Sequence, residues 1–174
     1  MLILETPRLV LRRLVPGDLD ELAALYADVE LRRYFPEGAL TREETLEELE
    51  WFLDGHPDHP ELGLWATIDR ETGAFVGRCG LLPWTIEGRD EVEIAYLIRR
   101  ERQGAGLATE AAQAILRHGV EHLGLRRLIC LIDPANAASV RVAEKLGMRV
   151  ERTVVDEHGT SSLYAVAAGA PAPG

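Results

Sequence analysis

Three arginines stand just ahead of two closely spaced glycines in RRERQGAGLATEAAQAIL, residues 99–116, and a helical apolar pattern follows. No Ser, Thr, Asp or Asn stands where that helix should begin. A helix start leaves about four backbone N–H groups without partners. Those donors, the positive end of the helix dipole and glycines without Cβ make an anion site. The missing acceptor that fits best is a phosphate. The bland reading, a tight strand-to-helix turn, is compatible with an anion site. Arg99, Arg100 and Arg102 are either solvated surface or local charge compensation for that anion. Two further places could do chemistry. Glu93 lies on EVEIAYLI (91–98) and shares a strand face with Ala95 and Leu97, so it marks either a wet sheet edge or a base. Asn136 is a natural helix N-cap. Ser139, three residues on, is either an ordinary first-turn serine or a group turned toward the site.

Sequence narrows which phosphate. A Walker loop needs Gly-Lys-Ser/Thr, but Leu107 and Ala108 follow Gly106. A dinucleotide fingerprint needs G-x-G-x-x-G/A, and Thr109 stands at its third place. Asp133 could imitate the ribose-binding acid of that motif. Only about 40 residues follow it, too few for two more strand–helix units of roughly 30 residues per βαβ.

The elements that must position these residues follow from periodicity. RLVLRRL (8–14) alternates as a strand. Asp18 with Glu21, and Thr41 with Glu44, read as capping boxes. They open helices to about Tyr26 and about Leu53, with 28–40 a loop between. Residues 62–69 and 74–82 form a hairpin, and 91–98 is a strong strand. The helix 107–123 has a clean apolar stripe. The strand 126–133 is apolar throughout, as a buried strand should be. A helix over 137–146, ended by Gly147, leads to a hairpin of 148–155 and 161–167 around DEHGT. This order predicts an α/β domain over 1–168, with a mixed sheet of about seven strands and about four helices on both faces. Residues 169–174 form a flexible tail. The unit 91–133 is a parallel crossover.

Composition bounds the function. A net charge of -10 argues against nucleic-acid binding and suits an amine-bearing partner or plain solubility. No apolar run reaches the roughly 18 residues of a membrane span, so a cytoplasmic protein is expected. Cys79 and Cys130 sit in apolar runs and read as buried thiols. The five histidines lack ligand spacing, and no metal is expected.

Gln103-x-x-Gly106-x-Ala108 resembles the Q/R-x-x-G-x-G/A phosphate loop of the GNAT N-acetyltransferase superfamily. ETPRLVLRRL, EIAYLI and NAASVRVAEKLGM resemble the first strand, the pre-loop strand and the closing motif of its branch of ribosomal-protein N-terminal acetyltransferases. Ala95 and Met148 stand where that branch often has Gly and Phe. The likeness spans about residues 5 to 166. It implies acetyl-coenzyme A as cosubstrate, held by Leu97, Ile98, Arg99, the loop Gln103, Gly104, Ala105, Gly106, Leu107, Ala108 and Thr109, and by Asn136 and Ser139. It implies Glu93 as a water-relayed base. Ser139 becomes the acid, since Ala143 occupies the place of the tyrosine many relatives use. Tyr96 falls on the opposite strand face and reads as core. Trp84, Tyr34 and Phe35 read as core edge or as an acceptor pocket. The reaction implied is direct attack of a primary amine, in a ternary complex. Deprotonating an α-amine at pH 7 costs roughly 1 kcal/mol, and a lysine roughly 4.6, which leans toward N-terminal or low-pKa amines. The rival readings are a non-catalytic acyl-coenzyme A module and a nicotinamide oxidoreductase. A dimer is common among the relatives the resemblance points to, so a homodimer is one open outcome; the sequence does not set the oligomeric state.

Overall fold

A computed structural model describes residues 1–156 and 159–169. Its strands are β1 (Leu2–Glu5), β2 (Leu9–Arg13), β3 (Gly63–Asp69), β4 (Phe75–Ile86), β5 (Arg89–Ile98), β6 (Arg127–Ile132), β7 (Arg149–Asp156) and β8 (Gly159–Ala167). Its helices are α1 (Leu19–Tyr26), α2 (Val29–Arg32), α3 (Arg42–Phe52), α4 (Leu107–Glu121) and α5 (Ala137–Lys145). The strands form one mixed sheet in the order β1-β2-β3-β4-β5-β6-β8-β7. Every pairing is antiparallel except β5 with β6. Residues 157 and 158 of the expected DEHGT connection, and residues 170–174 of the expected tail, lie outside the described residues.

Two layers of apolar side chains hold helices on the two faces. Ala111, Ala112 and Ile115 of α4 pack with Leu11, Leu81, Ile94, Leu128 and Cys130, all almost without exposure. Fully burying a side chain such as Ile115 contributes about 1.5–3 kcal/mol. On the other face Leu22, Leu25 and Tyr26 of α1 meet Leu49 and Phe52 of α3 over Leu64, Ala95 and Leu97.

The structure adds β1 and α2 to the expected elements, both of only four residues and too short for periodicity to show. Asp28 caps α2 by accepting from Leu31 N at 3.1 Å. The Thr41/Glu44 capping box forms, at 3.2 and 2.7 Å. The Asp18/Glu21 box does not. Asp18 closes a short 3-10 turn instead, accepting from Val15 N at 2.9 Å and from Arg12 at 2.7 Å. β4 runs past Pro83 because β3 stops pairing at Leu81, so the absent proline N–H leaves no ladder bond unmade.

Candidate active site

The one parallel pairing ends almost as it begins. β5 and β6 share a single register pair, Glu93 with Ile129. Just beyond it, side chains take the backbone groups that face the neighbouring strand. Leu131 N–H donates to Glu93 Oε1 at 3.2 Å, and the Cys130 thiol donates to Ile94 C=O at 3.4 Å. The strands part from this fork. Alternation along β5 puts the backbone N–H and C=O of Tyr96 and the N–H of Ile98 on the same opened edge as Ile94 C=O. Ile98 C=O accepts from Gln103 Nε2 at 3.0 Å, so Gln103 ties the glycine loop to the end of the strand.

Gly104 and Gly106 both adopt left-handed backbone, φ 78° and 79°. Gly106 is the N-cap of α4 and offers no side-chain cap. Among the described residues, no protein acceptor meets the backbone N–H groups from Gly104 through Thr109; the first bond back is Glu110 N–H to Gly106 C=O at 3.0 Å. The helix start is therefore left with a run of free donors, as the sequence suggested. Glu110, also in the first turn, is bound on the outer side by Thr6 Oγ1 at 2.6 Å and by Arg8 at 2.7 Å. Arg8 also reaches Ala105 C=O at 2.9 Å. These contacts fix the loop from behind.

The three arginines are drawn off to acids. Arg99 pairs with Glu21 and lies over the Phe75 ring, away from the cleft. Arg100 pairs with Asp28 at 3.0 Å, and Arg102 with Asp69. Arg102 holds the Asp69 carboxyl well below its ordinary range, with help from Thr72. Proximity in sequence had suggested that Arg99 faces the anion; the acidic residue of α1 captures it instead. Ala105 likewise turns toward Arg8, not the cleft.

The fork opens into one cleft of about 2000 Å³. That exceeds the roughly 300–1,000 Å³ of a site for one small ligand, and leaves room for two substrates. Glu93, Leu97, Ile98, Gln103, Gly104 and Gly106 line it, as do Leu107, Ala108, Thr109, Asn136 and Ser139. Glu93 Oε2 accepts from Trp84 Nε1 at 2.7 Å. Burial pushes the Glu93 carboxyl above its ordinary range, against the pull of Trp84 and Leu131 N–H. Asn136 caps α5 by accepting from Ser139 N at 3.1 Å. Ser139 Oγ has no hydrogen-bond partner among the described residues.

Tyr96 had been read as core. It packs against the α4 layer, but it also lines the cleft, and its hydroxyl donates to Ser139 C=O at 2.9 Å. Burial raises its phenol well above the usual value. A half-buried tyrosine beside a strand that stops pairing carries no sequence signal. Cys130 is the other group missed in this role: it is a buried free thiol, as expected, and it also holds the fork open.

Comparison with known proteins agrees with this geometry. Residues 8–149 match the model of the acetyltransferase (GNAT) domain. An uncharacterized Bacillus subtilis (strain 168) protein, YkkB, is 36% identical over 152 residues, covering 87% of each chain. The crystal structure of a GNAT-family acetyltransferase from Bacillus anthracis superposes with a TM-score of 0.83 at 26% identity, covering 96% of this chain and 98% of that one. The ribosomal L7/L12 α-N-protein acetyltransferase RimL, solved with coenzyme A, has a TM-score of 0.78 at 18% identity over 96% and 98% of the chains, a likeness of fold alone. The chain belongs to the GNAT acetyltransferase family. Its acetyl donor is acetyl-coenzyme A, the cosubstrate of that family. The nicotinamide reading falls with this result. None of the described helices is long and apolar enough to cross a membrane.

Proposed function

We propose that this protein transfers the acetyl group of acetyl-coenzyme A to a primary amine, a protein N-terminal α-amine or a small-molecule amine, by direct attack within a ternary complex. The observation that carries this reading is the fork: a half-buried carboxylate stands where β5 and β6 part, beside a run of free backbone donors. The donor molecule contributes a thioester-activated acetyl group; the protein's part is placement and proton transfer. The N–H groups of Gly104 to Thr109 hold its pyrophosphate, and the opened edge of β5 takes the pantetheine arm as an added strand. Ile98 N–H polarises the thioester carbonyl. Glu93, its pKa raised by burial, takes the amine proton through a water. As the C–N bond forms and the thioester C–S bond breaks, Ser139 Oγ gives a proton to the departing sulfur and is reprotonated from solvent, to which Glu93 releases the amine proton.

The test is an amine panel incubated with acetyl-coenzyme A, following thiol release and the mass of the products. Amine-dependent thiol release matched by acetylated amine supports the reading. Binding of acetyl-coenzyme A with no turnover on any amine identifies a non-catalytic binding module instead.

A further inference from the structure

Two guanidinium groups are buried at the end of the cleft that α1, α2 and α3 enclose. Arg32 is 2% exposed and Arg78 5%. Both lie against the same two rings, Arg32 at 4.7 Å from the Tyr26 centroid and 4.6 Å from Phe35, and Arg78 at 5.6 and 5.5 Å. Acids nearby do not neutralise them in pairs. Among the described residues Arg32 has one acid partner, the largely exposed Glu37 at 3.5 Å, and its Nε donates to Gly38 C=O at 2.5 Å. Arg78 forms no ion pair among the described residues; its Nε donates to Tyr26 OH at 3.0 Å, and Tyr26 donates to the half-buried Glu48. No protein acceptor meets either Arg78 Nη among the described residues, and both arginines line the cleft.

A buried charge without a partner is costly and is normally paired. Here two like charges share one apolar enclosure. Burial, and then the charge of Arg78, lower the Arg32 pKa, while Tyr26 and Glu48 outweigh burial and raise that of Arg78. Arg78 stands on the same sheet face as Glu93, whose cross-strand partner is Leu82, four residues along β4. The cation pair and the carboxylate thus occupy one continuous wall.

We infer that the acceptor is a small amine that also carries a carboxylate, with Arg78 and Arg32 holding the carboxylate while the amine lies at Glu93. This rests on the acetyl-transfer reading above. The planar fork of an arginine matches a carboxylate in two parallel bonds, and the aromatic walls keep that fork rigid. A polyamine or a simple alkylamine would leave Arg78 without an ion pair and add a further positive charge beside both guanidinium groups.

The experiment compares ω-amino acids from glycine to 6-aminohexanoate with their carboxamides, in the full-length protein and in Arg78→Met. The wild type is expected to favour at least one carboxylate over its amide by about tenfold or more in kcat/KM. Arg78→Met should lower the carboxylate rate far more than the amide rate and collapse that ratio. Because Arg78 also donates to Tyr26, Arg78→Lys, which keeps the charge without the planar fork, runs beside it, and it too should lose the preference for the carboxylate while keeping the wild-type melting temperature more nearly than Arg78→Met. Amides or polyamines used as well as the carboxylates, or a loss shared equally by both members of a pair, would overturn the inference while leaving acetyl transfer intact. Peptides beginning with Asp or Glu form a further arm; acetylation of these alone would overturn the small-molecule assignment. Should nothing turn over, the same pairs are added to coenzyme A-loaded protein in a thermal-shift assay. Stabilisation by a carboxylate that Arg78→Met abolishes supports the inference, and its absence overturns it.

Discussion

The indole N–H of Trp84 donates to Glu93 at 2.7 Å from the neighbouring strand. It is one of two donors that keep this half-buried carboxylate from rising further in pKa. Trp84→Phe removes a bond to the charged form, so the Glu93 pKa should rise. The acidic limb of kcat/KM against pH should then move to higher pH, with the plateau less affected. An unmoved limb would show that the indole does not set the ionisation.

Glu93 also has a stability signature. Its folded pKa lies above the unfolded value, so folding favours the protonated form. Ionised Glu93 costs stability at pH above its folded pKa, and the cost vanishes below the unfolded value near about 4.3. Glu93→Gln should therefore be more stable than the wild type at pH 8, and the gap should shrink toward pH 4. Denaturant melts at the two pH values check the sign.

Glu110 has the opposite signature. Burial opposes its ionisation, but bonds from Thr6 and Arg8 outweigh that and lower its pKa. Its contribution is present above the unfolded carboxylate range and is lost as pH falls through the lowered folded value. Glu110→Gln should destabilise the protein at neutral pH, with the difference from the wild type closing in acid. The same melts report it.

Gly106 and Gly104 are left-handed in open surroundings. A Cβ on Gly106 would come no closer than 3.7 Å to Arg8, and one on Gly104 would meet nothing within 4 Å. The cost of alanine is therefore conformational, about 1–2 kcal/mol at each site. If the loop holds the pyrophosphate, relieving that strain by rotating the backbone misdirects its donors. Calorimetric titration should show a weaker acetyl-coenzyme A affinity in both variants, by about tenfold, which is 1.4 kcal/mol.

Ser139 and Tyr96 can be separated by substitution. Ser139→Ala should lower kcat by about 10²-fold if its hydroxyl is the acid. Tyr96→Phe removes a bond to the Ser139 carbonyl and should do less. A larger loss in Tyr96→Phe would move the acid role to the phenol.

Much of this was legible from residue order. α4 has a clean apolar stripe, the Thr41/Glu44 box is explicit, and the glycine loop announces uncapped donors. Side-chain destinations were less legible. Arg99 reads as a cation beside an anion site, but Glu21 on a helix distant in sequence claims it. Asp18 carries a capping spacing, but Arg12 and Val15 hold its carboxylate. Tyr96 and Cys130 gain their places only because β5 and β6 part at Glu93, a tertiary event with no local pattern. Arg32 and Arg78 stand in stretches with no local pattern that marks a buried charge, and packing beneath α1 and α3 is what buries them.

We propose Glu93, at the fork of β5 and β6, as the base for the acceptor amine. The most direct measurement is the pH profile of kcat/KM for Glu93→Gln beside the wild type, with one acetylated amine. Glu93→Gln is expected to lose about 10²-fold in kcat/KM on the plateau, with the gap closing toward low pH as wild-type Glu93 protonates and with the acidic limb gone from the variant. A profile of unchanged shape and height would contradict the proposal and remove Glu93 from the chemistry.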